Sequence, residues 1–210
     1  MNSDALNILE EMRLAVGETR GPAPLESSPK AFPVLVSTII SLRTRDAVTR
    51  KVSEAVLGEA GNVDSMDRIE EEELQELLKP AGFYRQKASQ LKRIARILKE
   101  DSNGEVPKEM DSLLSLPGVG RKTANFVLGM VFGEPSICVD VHVHRISNRL
   151  GIVNTNTPEE TEFALREVFP REEWIGINHT MVRFGQTVCR PRNPLCNECS
   201  LKELCPSAGG

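Results

Sequence analysis

Leu116-Pro117-Gly118-Val119-Gly120-Arg121-Lys122-Thr123-Ala124 is the stretch from which the fold reads outward. An apolar helical run ends at Leu116, a tight turn follows, and a second helix begins near Arg121. Two glycines permit unusual φ angles and remove side chains, so backbone N–H groups can approach an anion closely. The new helix N-terminus adds the positive end of its dipole. An ordinary αα-hairpin carries the same Pro-Gly and Gly signals. Arg121 and Lys122 directly after the turn favour a phosphate-binding device, one that grips a nucleic-acid backbone without reading sequence. A lysine amine can also attack a sugar carbon and form a Schiff base. On residue chemistry alone, the plainer reading of Lys122 is a surface contact to phosphate.

Working outward, nearly every segment has helical periodicity. Leu6, Leu9, Met12 and Val16 make one apolar face. Residues 31–42 form an apolar helix with Pro33 in its first turn, and 46–57 are amphipathic. One helix is expected over 66–78, stopped by Pro80. Another spans 86–98, with Leu91, Ile94, Ala95 and Leu98 inside and Lys87, Lys92, Arg93 and Arg96 outside. Short helices follow at 110–116, 121–132 and 141–150, the last capped by Asp140. Thr157, Pro158 and Glu160 form a capping-box signature for a helix to 168, and 172–187 is helical as well. Aromatic residues are only 4% of the chain, which argues against large sheets. The fold class is all-α, short helices with brief connections.

The formal charge is −4, which by itself disfavours a nucleic-acid partner. The acidic residues crowd into 70–76, 159–167 and 172–173, however, and leave other stretches basic. The N-terminus lacks the basic and apolar regions of a secretory signal, and no apolar run approaches the roughly 20 residues of a membrane span. A cytoplasmic protein with reduced thiols is expected. Its five cysteines then suggest metal or catalysis before disulfides.

Two further constellations carry chemistry. In Val139-Asp140-Val141-His142-Val143-His144-Arg145 an acid sits between valines at a helix start. Asp140 is an N-cap, and a fixed carboxylate there can also stabilise positive charge or manage a proton. His142 and His144 lie two apart and share no helix face, so each reads as a structural histidine rather than a metal ligand. Cys189, Cys196, Cys199 and Cys205 are separated by six, two and five residues. Four cysteines so close form a strong metal signal, compatible with zinc or with a [4Fe–4S] cluster. Cys138 stands apart as a small buried residue.

Taken together and in this order, the three constellations resemble the endonuclease III family of DNA glycosylases. LPGVGRKTA is similar to its helix-hairpin-helix with the catalytic lysine, VDVHVHR to its catalytic aspartate segment, and the cysteine spacing to its iron–sulfur loop. The resemblance covers nearly the whole chain. It implies two helical lobes with a DNA-binding cleft: a six-helix bundle over 25–133, and an iron–sulfur domain of 1–24 with 134–210. It implies Lys122 and Asp140 as the catalytic pair, facing each other from different lobes, and the four C-terminal cysteines as ligands of a [4Fe–4S] cluster. DNA contacts are implied for Gly118, Val119, Gly120, Arg121 and Thr123, for His142, and for Arg190 and Arg192 of the cluster loop. Phe83 matches an apolar wedge that enters the base stack. Arg43 stands where the family commonly has Gln filling the gap left by a flipped base. An arginine there could donate to the acceptors of an orphaned guanine.

The implied activity is that of a bifunctional DNA glycosylase and abasic-site lyase on damaged, oxidised pyrimidines. The implied partner is double-stranded DNA with damaged bases or abasic sites, bound by a monomer in the cytoplasm, at the nucleoid if the source is prokaryotic. Two alternatives stay open: a glycosylase for thymine or uracil opposite guanine, because of Arg43, and a non-catalytic helix-hairpin-helix DNA-binding module. The adenine-removing branch ranks below them, since it usually replaces the lysine.

Overall fold

The computed structural model describes residues 3–17 and 31–208, and the regular structure there is helical, without a strand among the described residues. The chain divides into two compact units, Ser27–Phe132 and Met1–Glu26 with Gly133–Gly210. The lobe boundary expected at 24/25 lies outside the described residues.

In the unit made of Met1–Glu26 and Gly133–Gly210, α1 (Ser3–Ala15) is followed after a long interval by α9 (Val141–Arg149), α10 (Pro158–Val168) and α11 (Trp174–Thr187). The intervening unit, Ser27–Phe132, holds α2 (Ala31–Ser41), α3 (Asp46–Glu59), α4 (Val63–Arg68), α5 (Glu71–Leu78), α6 (Tyr84–Asp101), α7 (Met110–Leu114) and α8 (Arg121–Phe132).

Helix α2 has little polar face and lies in the middle of its unit. It buries Phe32, Leu35, Val36, Ile39 and Ile40 and packs against α3 and α8. Helix α6 is strongly two-faced and lays Leu91, Ile94, Ala95 and Leu98 into the same core, over α4 and α5. Removing a fully buried leucine such as Leu91 from this core costs about 2–5 kcal/mol.

The expected helix over 66–78 is two helices, so this unit has seven among the described residues rather than six. Ile69 and Glu70 are extended, with ψ of 138° and 143°. Asn62 opens α4 through a reciprocal capping box with Ser65. Its end is closed from α6, where Lys92 Nζ donates to the carbonyls of Asp67 and Ile69, both at 2.6 Å. Glu71, Glu72 and Glu73 then sit in the first turn of α5, where carboxylates meet the positive helix end.

In the other unit, α1 and α9 both pack on α11, and α9 also meets α10. Leu9, Met12, Val143, Ile146, Leu165, Ile177 and Phe184 form the core. The buried Arg13 pairs with Glu173 and ties α1 to the turn before α11. Thr157 caps α10 as its sequence suggests, with Glu160 returning the bond and Pro158 opening the helix. After α11 the tail is two short 3-10 turns and loops, rooted in the core by the fully buried Leu201. Cys138 is buried, as expected.

Candidate functional site

The turn between α7 and α8 has the backbone its glycines permit. Gly118 has φ +79°, and a Cβ there would lie 2.5–2.8 Å from the amide end of Gln90 on α6. Val119 N–H closes the turn on Leu116 O at 3.1 Å, and Ala124 N–H reaches Gly120 O at 2.9 Å. The first N–H groups of α8 have no carbonyl of their own helix to meet, which leaves an anion-binding end. Gly118, Gly120 and Lys122 are exposed and Arg121 is half-buried. Val119 and Thr123, also implied as DNA contacts, have buried side chains. They are 7% and 1% exposed and anchor the hairpin from beneath, so only their backbone can meet a ligand.

A second feature of this unit borders the hairpin. Leu42, Arg43, Phe83, Gln86, Lys87, Gln90 and Gly118 line one open groove with about 790 Å³ of empty space. Phe83 is 57% exposed, so it is not a core aromatic. The guanidinium of Arg43 stands 5.2 Å from the centre of its ring, within cation–π range. Both residues have left-handed backbones, with φ of 53° and 58°. Such angles are uncommon outside glycine. Lys87, expected on the outside of α6, is instead 3% exposed.

In the other unit, Asp140 is half-buried and its Oδ1 accepts from the N–H groups of His142 and Val143, both at 2.9 Å. The carboxylate is therefore held in one orientation by the helix it starts. Beside it, Val141 is 72% exposed. His142 Nδ1 lies 3.1 Å from Arg145 Nη2, and His144 Nδ1 lies 2.7 Å from Thr161 Oγ1. These contacts give both histidines structural partners.

The arginines of α9 hold the cysteine loop. Arg145 Nη2 donates to Cys189 O at 2.9 Å; Arg149 donates to Arg190 O at 2.7 Å and Pro191 O at 3.1 Å. Arg149 Nη1 also approaches Cys189 Sγ at 3.7 Å. Arg190 and Arg192 themselves are exposed. Cys189, Cys196, Cys199 and Cys205 line a single pocket, walled by Leu150, Phe184, Val188 and Pro194. Burial pushes the Cys199 thiol up, and its three sister thiols add to the rise. Four thiolates so placed repel one another unless a cation holds them. Among the described residues, no three His, Cys, Asp or Glu side chains gather tightly enough for a single ion. Zinc wants four sulfurs at about 2.3 Å from one point. Four thiols lining one pocket are also the donor set of a [4Fe–4S] cluster.

Sequence reading missed Lys87, Thr44, Gln90, Arg145 and Arg149 as parts of this architecture. Lys87 had a signal: it shares helical spacing with Leu91, Ile94 and Leu98. Among the described residues, no helix is long and apolar enough to cross a membrane.

Residues 36–171 match the family model described as HhH-GPD superfamily base excision DNA repair protein. The chain is 51% identical over 174 residues to Endonuclease III of Thermotoga maritima, covering 83% of this chain and 82% of that protein. It is 42% identical over 189 residues to Endonuclease III homolog 2, chloroplastic, of Arabidopsis thaliana, covering 85% of this chain and 49% of that longer protein. Among solved structures, that of a non-covalent Endonuclease III–DNA complex superimposes with a TM-score of 0.89 at 33% identity, over 99% of this chain and 97% of the other.

Proposed function

Because the chain belongs to the endonuclease III family of HhH-GPD base-excision DNA repair proteins, we propose that it removes oxidised pyrimidines from duplex DNA and cleaves the strand at the resulting site. DNA glycosylase and abasic-site lyase activity is the chemistry of that family. The observation that carries the residue assignment is the exposed Lys122 in the first turn of α8, directly behind an anion-binding turn. Phosphates held by the hairpin N–H groups and Arg121 bring a sugar within reach of that amine.

The damaged nucleotide leaves the stack, which is least costly for a poorly stacked base. Lys122 Nζ bonds to the sugar C1′ as the bond from C1′ to the base breaks, and the base departs with that electron pair. Asp140, acceptor-only and fixed by two N–H groups, stabilises the positive charge that develops on the sugar, or takes the proton lost by the amine. The sugar ring opens to an imine on Lys122. The imine acidifies the 2′ hydrogen, whose loss expels the 3′ phosphate, and water then frees the lysine. Cys189, Cys196, Cys199 and Cys205 would hold a [4Fe–4S] cluster in the pocket they line. Its chemistry there is structural, fixing a loop whose Arg190 and Arg192 meet phosphates. Phe83 and Arg43 fill the space that the flipped base leaves.

Arg43 also supports a second reading of the substrate, thymine or uracil opposite guanine. A cleavage panel decides between them: oxidised pyrimidines, abasic sites, thymine and uracil, each set against all four opposite bases. The expected result is cleavage of oxidised pyrimidines, strongest opposite guanine. Cleavage confined to thymine or uracil opposite guanine selects the second reading.

A further inference from the structure

One buried charge has no part in the chemistry above. Lys87 projects from the apolar stripe of α6 into the interior, where an ammonium loses its hydration and must recover it from protein groups. Its Nζ donates to Ile40 O at 2.6 Å, Leu42 O at 2.7 Å and Thr44 Oγ1 at 2.8 Å. An ammonium has three protons, and here there are three acceptors. The Ile40 carbonyl belongs to the last turn of α2, where a cation also meets the negative helix end.

The gripped atoms bracket Arg43. Leu42 precedes it and Thr44 follows it, so Lys87 holds the backbone carbonyl on one side and the side-chain hydroxyl on the other side of a residue in the left-handed region. Thr44 Oγ1 passes the link on by accepting the N–H of Gly82 at 3.3 Å. The two loops lie so close that a Cβ on Gly82 would come within 2.6 Å of the Arg43 carbonyl oxygen. The residue after Gly82 is Phe83, also left-handed, with Arg43 stacked over its ring.

We propose that Lys87 is a positioning residue that holds Arg43 and Phe83 as one preset pair, poised to enter DNA together, without itself touching the reacting atoms. The inference rests on the reading of Arg43 and Phe83 as the residues that enter DNA. A pair already in place spares each binding event the ordering of two loops. Lys87 therefore matters where a stack must be opened and not where it is absent.

The test compares two substrates. Lys87→Met keeps the length of the side chain and removes every N–H. Single-turnover base removal from a duplex should fall tenfold or more. Borohydride trapping on a single-stranded abasic oligonucleotide, which has no stack to open, should stay within twofold. In an Arg43→Ala/Phe83→Ala background, Lys87→Met should add less than a twofold loss. Equal losses on both substrates, no loss on the duplex, or a full further loss in that background would each overturn the inference. If Lys87→Met does not fold, Thr44→Val severs the link to Gly82 and should give the same split, threefold or more. If the Arg43→Ala/Phe83→Ala variant itself cleaves duplex normally, the underlying wedge reading fails and takes this inference with it. If that variant is impaired and Lys87→Met is not, this inference alone fails.

Discussion

Replacing Gly118 by alanine probes the hairpin with a magnitude that the geometry supplies. An L-residue held at φ +79° costs about 1–2 kcal/mol relative to glycine. The new Cβ would also press on the Gln90 amide at 2.5–2.8 Å, but that is the free end of a flexible side chain and can swing aside. The sum is about 2 kcal/mol, which for a protein of this size lowers Tm by roughly 4–8 °C. Gly120 is the internal control: nothing lies within 4 Å of a Cβ built there, and its φ is not positive. Gly120→Ala should change stability by less than about 0.5 kcal/mol. Scanning calorimetry gives both numbers, and anisotropy with a duplex carrying an abasic analogue gives the accompanying loss of affinity for Gly118→Ala. Adding Gln90→Ala should recover only the small steric part. An unchanged Tm for Gly118→Ala, or an equal fall for Gly120→Ala, would refute the assignment of backbone strain to this turn.

Three other outcomes are expected. Asp140→Ala should lose about 1 kcal/mol of stability with its cap, whereas Asp140→Asn keeps the cap; both should lose base removal by roughly 100-fold or more, and near-normal turnover by Asp140→Asn would remove Asp140 from the chemistry. Burial pulls the Lys87 pKa from 10.5 down to about 8; the unfolded chain then binds the extra proton between those values, so this residue's contribution to stability rises with pH across that window, by at most about 3 kcal/mol. Arg43 is the other cation lining the groove; a urea-midpoint difference between wild type and Lys87→Met that stays flat from pH 8 to 10.5 contradicts the predicted rise. Purified protein should be brown, with about four iron and four sulfide per chain, and Cys199→Ala should lose that absorbance; colourless wild type with stoichiometric zinc counts against the cluster.

What can be read from the chain follows the reach of each signal. Helix periodicity and caps are local, so the Asp140 cap of α9 and the Thr157–Glu160 box of α10 are legible to the residue. The break at Ile69 is masked because Met66, Ile69, Leu74 and Leu78 keep one apolar face across it; the acidic run at 70–73 is the mark of a new helix start. Lys87 is misplaced when charge is taken as a sign of solvent, although its position falls on the buried stripe. Its partners lie more than forty residues away, as Cys189 does from Arg145 and Arg149, and no local pattern encodes such pairs. The left-handed backbones of Arg43 and Phe83 are unreadable for the same reason, since tertiary contacts impose them against residue preference. The nucleophilic role of Lys122 comes from family likeness, because residue type and spacing suit a phosphate contact equally well.

The most direct test of the proposed reaction is therefore borohydride trapping on abasic DNA. An imine on Lys122 predicts a covalent protein–DNA adduct whose tryptic map places the bond at Lys122, and which Lys122→Ala abolishes while the folded protein still binds the duplex. Equal trapping by Lys122→Ala, or an adduct mapped to another amine, would contradict it.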